Sequence, residues 1–152
     1  MSEVYLTNTG NGLVPSTAQD SEALGVLKLG EQVRARITRP RNLLFHRKFF
    51  AMLNVGFDAF TPLVTEYKGH PVQKNFERFR QDVIIAAGYY DIVPAINGEA
   101  RAIAKSISFG KMPEGEFQEL YSRVADVLLQ RILKNYNRED LDRVVDDILG
   151  FC

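Results

Sequence analysis

Residues 42–60, NLLFHRKFFAMLNVGFDAF, decide the predicted fold of this 152-residue chain. Asn42 is a favourable helix N-cap, and the apolar residues that follow it cover most of the circumference of a helix. Arg47, Asn54 and Asp58 form the main polar stripe on that helix. A helix that is apolar nearly all round is typical of a buried, central position, and Gly56 lets a neighbouring element approach it closely.

Two segments before this helix are predicted to be extended. Residues 3–7 have the alternating pattern of a short strand. Apolar residues also alternate with basic or polar ones over residues 31–39, which predicts a second strand that Pro40 ends. Residues 16–30, between the two strands, are predicted to be a loop with a short helix.

The rest of the chain is predicted to contain three helices and one β-hairpin. The helices cover residues 75–87, a long segment that Pro113 opens, and a segment from Asn137 to about residue 149. The hairpin joins residues 89–96 to residues 100–109 through Asn97 and Gly98, a favourable two-residue turn. We therefore predict an α+β fold in a single domain, residues 1–152, with a small antiparallel sheet packed against about four helices.

The composition limits the classes of protein to which the chain can belong. Hydrophobic residues make up 45% of it and charged residues 25%, as is typical of a soluble globular domain. Cys152 is the only cysteine, which excludes an intramolecular disulfide framework and a zinc site built from cysteines. No apolar run approaches the roughly 18 residues of a membrane helix, and residues 1–10 lack the pattern of a secretory signal. We expect a cytoplasmic protein without a membrane partner.

A net charge of zero conceals an uneven distribution of charged residues. Residues 28–48 contain seven basic residues and one acidic residue, whereas residues 112–152 contain five basic and nine acidic residues. A concentrated basic patch is typical of phosphate binding, and arginine can both contact phosphate and stack on a base. We therefore predict a nucleic-acid surface, completed by two basic side chains of the hairpin. Its residues are Arg34, Arg36, Arg39, Arg41, His46, Arg47, Lys48, Arg101 and Lys105.

Two points leave this interpretation open. The basic residues could instead pair with the acidic C-terminal helices, since opposite charges within a protein usually neutralise one another. Tyr89 and Tyr90 are adjacent on a predicted strand, so their side chains point to opposite faces. One of them is either a stacking platform for a base or a surface tyrosine of no such function.

Two segments, RNLLFHRKFFAML at residues 41–53 and KSISFGKMPEGEFQELYSRV at residues 105–124, carry a resemblance to known proteins. Over nearly its whole length the chain resembles a family of phage proteins encoded near replication and recombination genes. That family is similar in turn to the NinB, or Orf, recombination mediators of lambda-like phages. The resemblance implies a homodimer that binds single-stranded DNA in the host cytoplasm and interacts with the host single-strand-binding protein or another host protein. Phe45 and His46 stand where the lambda-like pattern has two polar amide residues.

The sequence favours no catalytic function. His46 lies beside Arg47 and is expected to be a contact or core-edge residue, and His70 has no acidic neighbour. The aspartates of the last helix, Asp140, Asp142, Asp146 and Asp147, could suggest a magnesium-dependent nuclease. However, Asp142 and Asp146 share one side of the helix and Asp147 lies about 100° further round, which favours a solvated acidic face over a magnesium site. We expect no enzyme activity, no cofactor and no bound metal.

Two hypotheses of function follow from these observations. The first is a non-catalytic accessory protein of phage recombination that binds single-stranded DNA. The alternative is a phage protein that binds and modulates a host nuclease or defence complex, either because its acidic helices mimic DNA or because its basic patch docks an acidic partner. Broad apolar stripes on the last two helices further predict a homodimer formed through these helices.

Overall fold

The computed structural model describes residues 3–39, 42–108 and 110–150, and the chain divides into two compact units, Met1–Ile37 and Thr38–Cys152. Within the described residues there are five helices and three antiparallel two-stranded sheets. The predicted α+β class is confirmed, but the prediction of one sheet is wrong because each pair of strands is a separate hairpin. The single domain stays a prediction, since units that are compact by themselves need not fold independently.

A hairpin and a short helix make up the regular secondary structure of the first unit. They are β1 (Leu6–Asn8), β2 (Leu13–Pro15) and α1 (Ala18–Leu24). The buried carboxylate of Asp20 connects them, because it accepts hydrogen bonds from the Tyr5 amide at 2.9 Å and from the Thr17 hydroxyl at 2.6 Å. Thr17 also caps α1 by accepting a hydrogen bond from the Asp20 amide. The short helix predicted within residues 16–30 is confirmed.

Residues 31–39 are irregular and exposed, so the strand predicted there is wrong. Alternating apolar and basic residues suit a strand with one buried face, but a strand also needs a neighbour to satisfy its backbone groups. The segment pairs with none of the described strands, and Val33 and Ile37 remain 54% and 67% exposed. The arginines of this segment therefore extend from backbone outside regular secondary structure.

Four helices and two hairpins form the second unit. They are α2 (Leu43–Ala59), β3 (Glu66–Tyr67), β4 (His70–Pro71), α3 (Phe76–Ala86), β5 (Tyr90–Pro94), β6 (Ala100–Ala104), α4 (Glu114–Arg131) and α5 (Arg138–Gly150). Asparagine side chains cap three of these helices: Asn42 accepts from the Phe45 amide, Asn75 from the Arg78 amide and Asn137 from the Asp140 amide. The three helix starts predicted from these asparagines are confirmed, as is the hairpin that turns at Asn97 and Gly98.

The core of the second unit forms around α2, as predicted. Phe49, Met52 and Leu53 of α2 are fully buried, and α2 packs against α3, α4 and α5. Gly56 lies close to α4, because a Cβ atom built on it would lie 2.6 Å from the Cδ2 atom of Leu128 in that helix. The glycine therefore lets two helices pack more closely than an alanine would allow.

The acidic last helix, α5, belongs to this same core. Its Leu141 and Val145 side chains are fully buried, and α5 packs against α2 and α4 of its own chain. The apolar stripe that predicted a homodimer is therefore covered largely within one chain, although Ile148 remains 37% exposed. In the sequence, Phe151 and Cys152 continue this apolar stripe beyond α5, but they lie outside the described residues, and the homodimer stays a prediction.

Candidate nucleic-acid interface

The arginine segment, residues 34–39, contains three exposed residues of the predicted binding set. Arg34 and Arg36 lie in the first unit and Arg39 in the second, and all three side chains are exposed. None of the three has an ion-pair partner among the residues that the structure describes. Their guanidinium groups thus keep their donors available for an external anion. Arg41 lies outside the described residues.

Three further predicted residues lie on the first turns of α2 and are held by their own chain. The His46 ring packs against the Phe50 ring with 4.7 Å between centroids, as expected for a core-edge residue. The Lys48 Nζ atom lies 3.7 Å from an Asp146 carboxylate oxygen on α5 and 5.8 Å from the centre of the Tyr121 ring. Arg47 is half-buried. The helix thus turns these side chains towards the protein to different degrees, which the basic run in the sequence does not reveal.

Pairing between the basic segment and the acidic C-terminal helices, the alternative that the sequence left open, occurs at Lys48. The other acidic side chains of α5 with ion-pair partners use bases of α5 itself. Asp142 lies 3.4 Å from Arg138, and Asp140 lies 2.7 Å from Arg143. Arginines of α5 itself thus take up these two carboxylates.

The hairpin of β5 and β6 presents two chemically different faces. Arg101 and Lys105 are exposed on one face, where Arg101 lies opposite Val93. Tyr90 is 44% exposed on the other face, opposite the small side chain of Ala104, whereas Tyr89 is buried. The prediction that the two tyrosines point to opposite faces is confirmed, and Tyr90 is the one whose ring could stack on a base.

A shallow cavity beside this hairpin contains a basic residue, Lys111, that is absent from the predicted binding residues. It has a volume of about 380 Å³, and its wall includes Lys105, Lys111, Asp91 and Glu116. The turn before α4 places Lys111 there, since the Lys111 amide donates to the Ser108 carbonyl at 3.0 Å. The signal in the sequence was the spacing of two lysines across the serine-containing turn at residues 105–111. The carboxylates of Asp91 and Glu116 offset the charges of the two lysines, so the cavity should attract an anion less strongly than the arginine segment does.

The described residues contain no cluster of three or more histidine, cysteine or acidic side chains able to hold a metal ion. Asp142 and Asp146, the pair weighed as magnesium ligands, instead contact Arg138 and Lys48. Among the described helices, none has the length and the apolar character needed to span a membrane.

The fold and the basic residues define an α+β protein with an exposed, irregular arginine segment. A family model described as "Protein of unknown function (DUF1367)" matches residues 1–69 and 64–151, so the chain belongs to this family. No protein with curated annotation and no solved structure matches the chain.

Proposed function

We propose that the protein is a non-catalytic accessory factor of phage recombination that binds single-stranded DNA in the cytoplasm of the host. The observation that carries this proposal is the arginine segment, with three exposed guanidinium groups within six residues and no carboxylate partner among the described residues. Each can pair with a phosphate or stack on an unpaired base. The recombination context rests on the resemblance of residues 41–53 and 105–124 to phage recombination proteins.

The backbone of the arginine segment favours a single strand over a duplex. Sequence-independent binding of single strands combines a basic path for the phosphates with aromatic rings for the bases. The segment 31–39 is free of helix and strand, so its arginines can adjust to an irregular partner. It lacks the rigid helix that usually reads a DNA major groove. Tyr90, in the second unit, separately offers an exposed ring on which a base can stack, and it is the aromatic component of the proposal.

The test compares two variants that remove the same charge. In the first, Arg34, Arg36 and Arg39 are replaced by Ala. In the control, Arg78, Arg123 and Arg143 are replaced by Ala; these are exposed bases that already pair with Asp82, Glu119 and Asp140 on their own helices. Affinity for a fluorescent single-stranded oligonucleotide is then measured at several salt concentrations.

We expect the first variant to bind at least about tenfold more weakly at about 0.1 M salt, and its salt slope to be shallower by about 2, since each phosphate contact contributes about 0.7. The control should stay within about threefold of the wild type, because its arginines are already paired and exposed. Equal losses in the two variants would mean that bulk charge, and not this site, determines binding. A wild type that binds no single strand at low salt would overturn the proposal and favour the alternative, a modulator of a host protein.

The aromatic component has its own matched pair of variants. Tyr90 and Ile92 lie on the same face of β5, both are exposed, and both are opposite alanines. Tyr90→Ala should weaken single-strand binding by about 1–3 kcal/mol, which is the usual contribution of one stacked base. Ile92→Ala removes apolar surface but no aromatic ring and should leave the affinity unchanged. Equal affinities of the two variants would exclude Tyr90 as a stacking platform.

A further inference from the structure

A groove in the second unit remains unexplained by nucleic-acid binding. It has a volume of about 690 Å³ and lies between the end of α2, one face of α3 and the last turn of α4. Its apolar wall includes Phe60, Val127 and Ile132, which are only partly buried against the core. Leu63 stands at its edge with a fully exposed side chain. The groove is thus large and apolar enough to accept several side chains of a partner.

The rim of this groove is basic. Lys74, Arg78, Arg131 and Lys134 line it, and the acidic side chain among the lining residues is Asp82, whose carboxylate lies 3.1 Å from Arg78. The C-terminal ends of α2 and α4 also reach the groove, and each carries about half a negative charge. Four bases against one acid and two helix ends leave an excess of about two positive charges.

The bases of the rim differ in how far they are committed to the fold. The Lys74 ammonium donates to the carbonyl oxygens of Phe57 at 2.6 Å and of Phe60 at 2.9 Å, so it mainly neutralises the end of α2. Arg131 and Lys134 are exposed and have no ion-pair partner in the described part of the chain. These two side chains are the ones that remain available to an anionic partner.

We propose that this groove, which we call the basic-rimmed groove, binds an acidic peptide segment of a partner protein through apolar side chains inserted between its basic edges. The apolar wall would bury those side chains, while Arg131 and Lys134 would pair with acidic residues beside them. The wall suits a nucleic acid poorly, because its apolar lining is mostly aliphatic; of its two phenylalanines, Phe79 is buried and Phe60 is only partly exposed. An apolar wall also stabilises side chains of a peptide but not phosphates, which must stay solvated or paired.

The proposal is tested with fluorescein-labelled octapeptides that contain four acidic residues and two apolar ones, either Leu or Phe, with uncharged Gln versions as peptide controls. Fluorescence anisotropy measures their binding to the full chain at low salt. Arg131→Glu with Lys134→Glu is the groove variant. Lys28→Glu with Lys68→Glu is the matched control, since it also reverses two exposed bases and neither residue lines the groove or belongs to the predicted nucleic-acid surface. Circular dichroism checks that each variant is folded.

We expect the acidic peptides to bind the wild type, and the groove variant to lose at least about tenfold in affinity while the control variant loses less than about threefold. Leu63→Ser should also weaken peptide binding severalfold, whereas Leu29→Ser, at an equally exposed leucine of the first unit, should not. Failure of the acidic peptides to bind, or equal losses in both charge variants, would overturn the proposal. So would displacement of the peptide by single-stranded DNA together with loss of DNA binding in the groove variant, since a nucleic acid would then occupy the groove. Peptide binding without any binding of DNA would refute the proposed function and leave this one intact.

Discussion

The contact between Gly56 and Leu128 provides a sharp test of how α2 and α4 pack. A Cβ atom on residue 56 would lie 2.6 Å from Cδ2, 3.2 Å from Cδ1 and 3.4 Å from Cγ of Leu128. Leu128 is fully buried, so its side chain has little room to move away. Gly56→Ala therefore combines two opposing effects, a gain from higher helix propensity and a loss from overpacking.

The magnitudes decide the expected sign. Replacing Gly by Ala inside a helix contributes about 1 kcal/mol of stability, whereas an extra methyl group in a packed core costs about 1–3 kcal/mol. Gly56→Ala should therefore lower the free energy of unfolding by up to about 2 kcal/mol. Leu128→Ala alone should cost about 2–5 kcal/mol. In the Leu128→Ala background the clash is removed, so Gly56→Ala should instead raise the free energy of unfolding by about 1 kcal/mol.

Urea unfolding followed by circular dichroism measures all four proteins of this double-mutant cycle. Gly115→Ala is the control, because Gly115 also lies in a helix but a Cβ atom there meets nothing within 4 Å. It should stabilise the protein slightly in both backgrounds. If Gly56→Ala has the same effect with and without Leu128, to within about 0.5 kcal/mol, the two residues are not coupled and the close approach is not a determinant of stability.

Three further predictions concern the helical core and its surface. Burial raises the pKa of Tyr121 to about 12, above the value of about 10 in an unfolded chain. The neutral Tyr121 side chain should therefore contribute to the free energy of unfolding below pH 10, and this contribution should be lost as the pH rises towards 12. Tyr121→Phe should reduce this alkaline loss of stability, as measured by urea unfolding. At pH 7 the same variant should be as stable as the wild type, because the Tyr121 hydroxyl has no hydrogen-bond partner in the described part of the chain. Asn137→Ala should lower the free energy of unfolding by about 1 kcal/mol, since it removes the cap of α5; no change would contradict the capping role. If the predicted homodimer forms through α5, Ile148→Glu should give a monomer in sedimentation while the helix content stays unchanged, and an unaltered dimer would place the interface elsewhere.

Local signals in the sequence predicted much of the second unit. Three helices start at asparagines, and one hairpin turns at Asn97 and Gly98. Contacts with residues two or three positions away fix the backbone at these points, so the sequence alone predicts these boundaries. The burial of α2 was also predictable, because its apolar residues leave no wide polar face. Residues 31–39 show the limit of this reasoning. Their alternation predicts a strand, but whether another strand lies beside them is a property of the tertiary fold.

The candidate site was less predictable because charge depends on partners and not only on composition. Lys48 and Arg39 belong to one basic run in the sequence, yet α2 turns Lys48 towards Asp146, while Arg39 is exposed on irregular backbone. The charge pattern of the sequence does not predict the basic-rimmed groove, because its bases are spread over residues 74–134 and acidic residues lie between them. The chain has no net charge but has two kinds of basic surface. The arginine segment is formed by residues close together in the sequence, whereas the basic-rimmed groove is formed by the packing of three helices. The first can be found by counting charges along the chain. The second can be found only when the fold shows which arginines and lysines have no carboxylate partner. The variants of the arginine segment should therefore lose affinity for single-stranded DNA, whereas those of the groove should lose affinity for an acidic peptide.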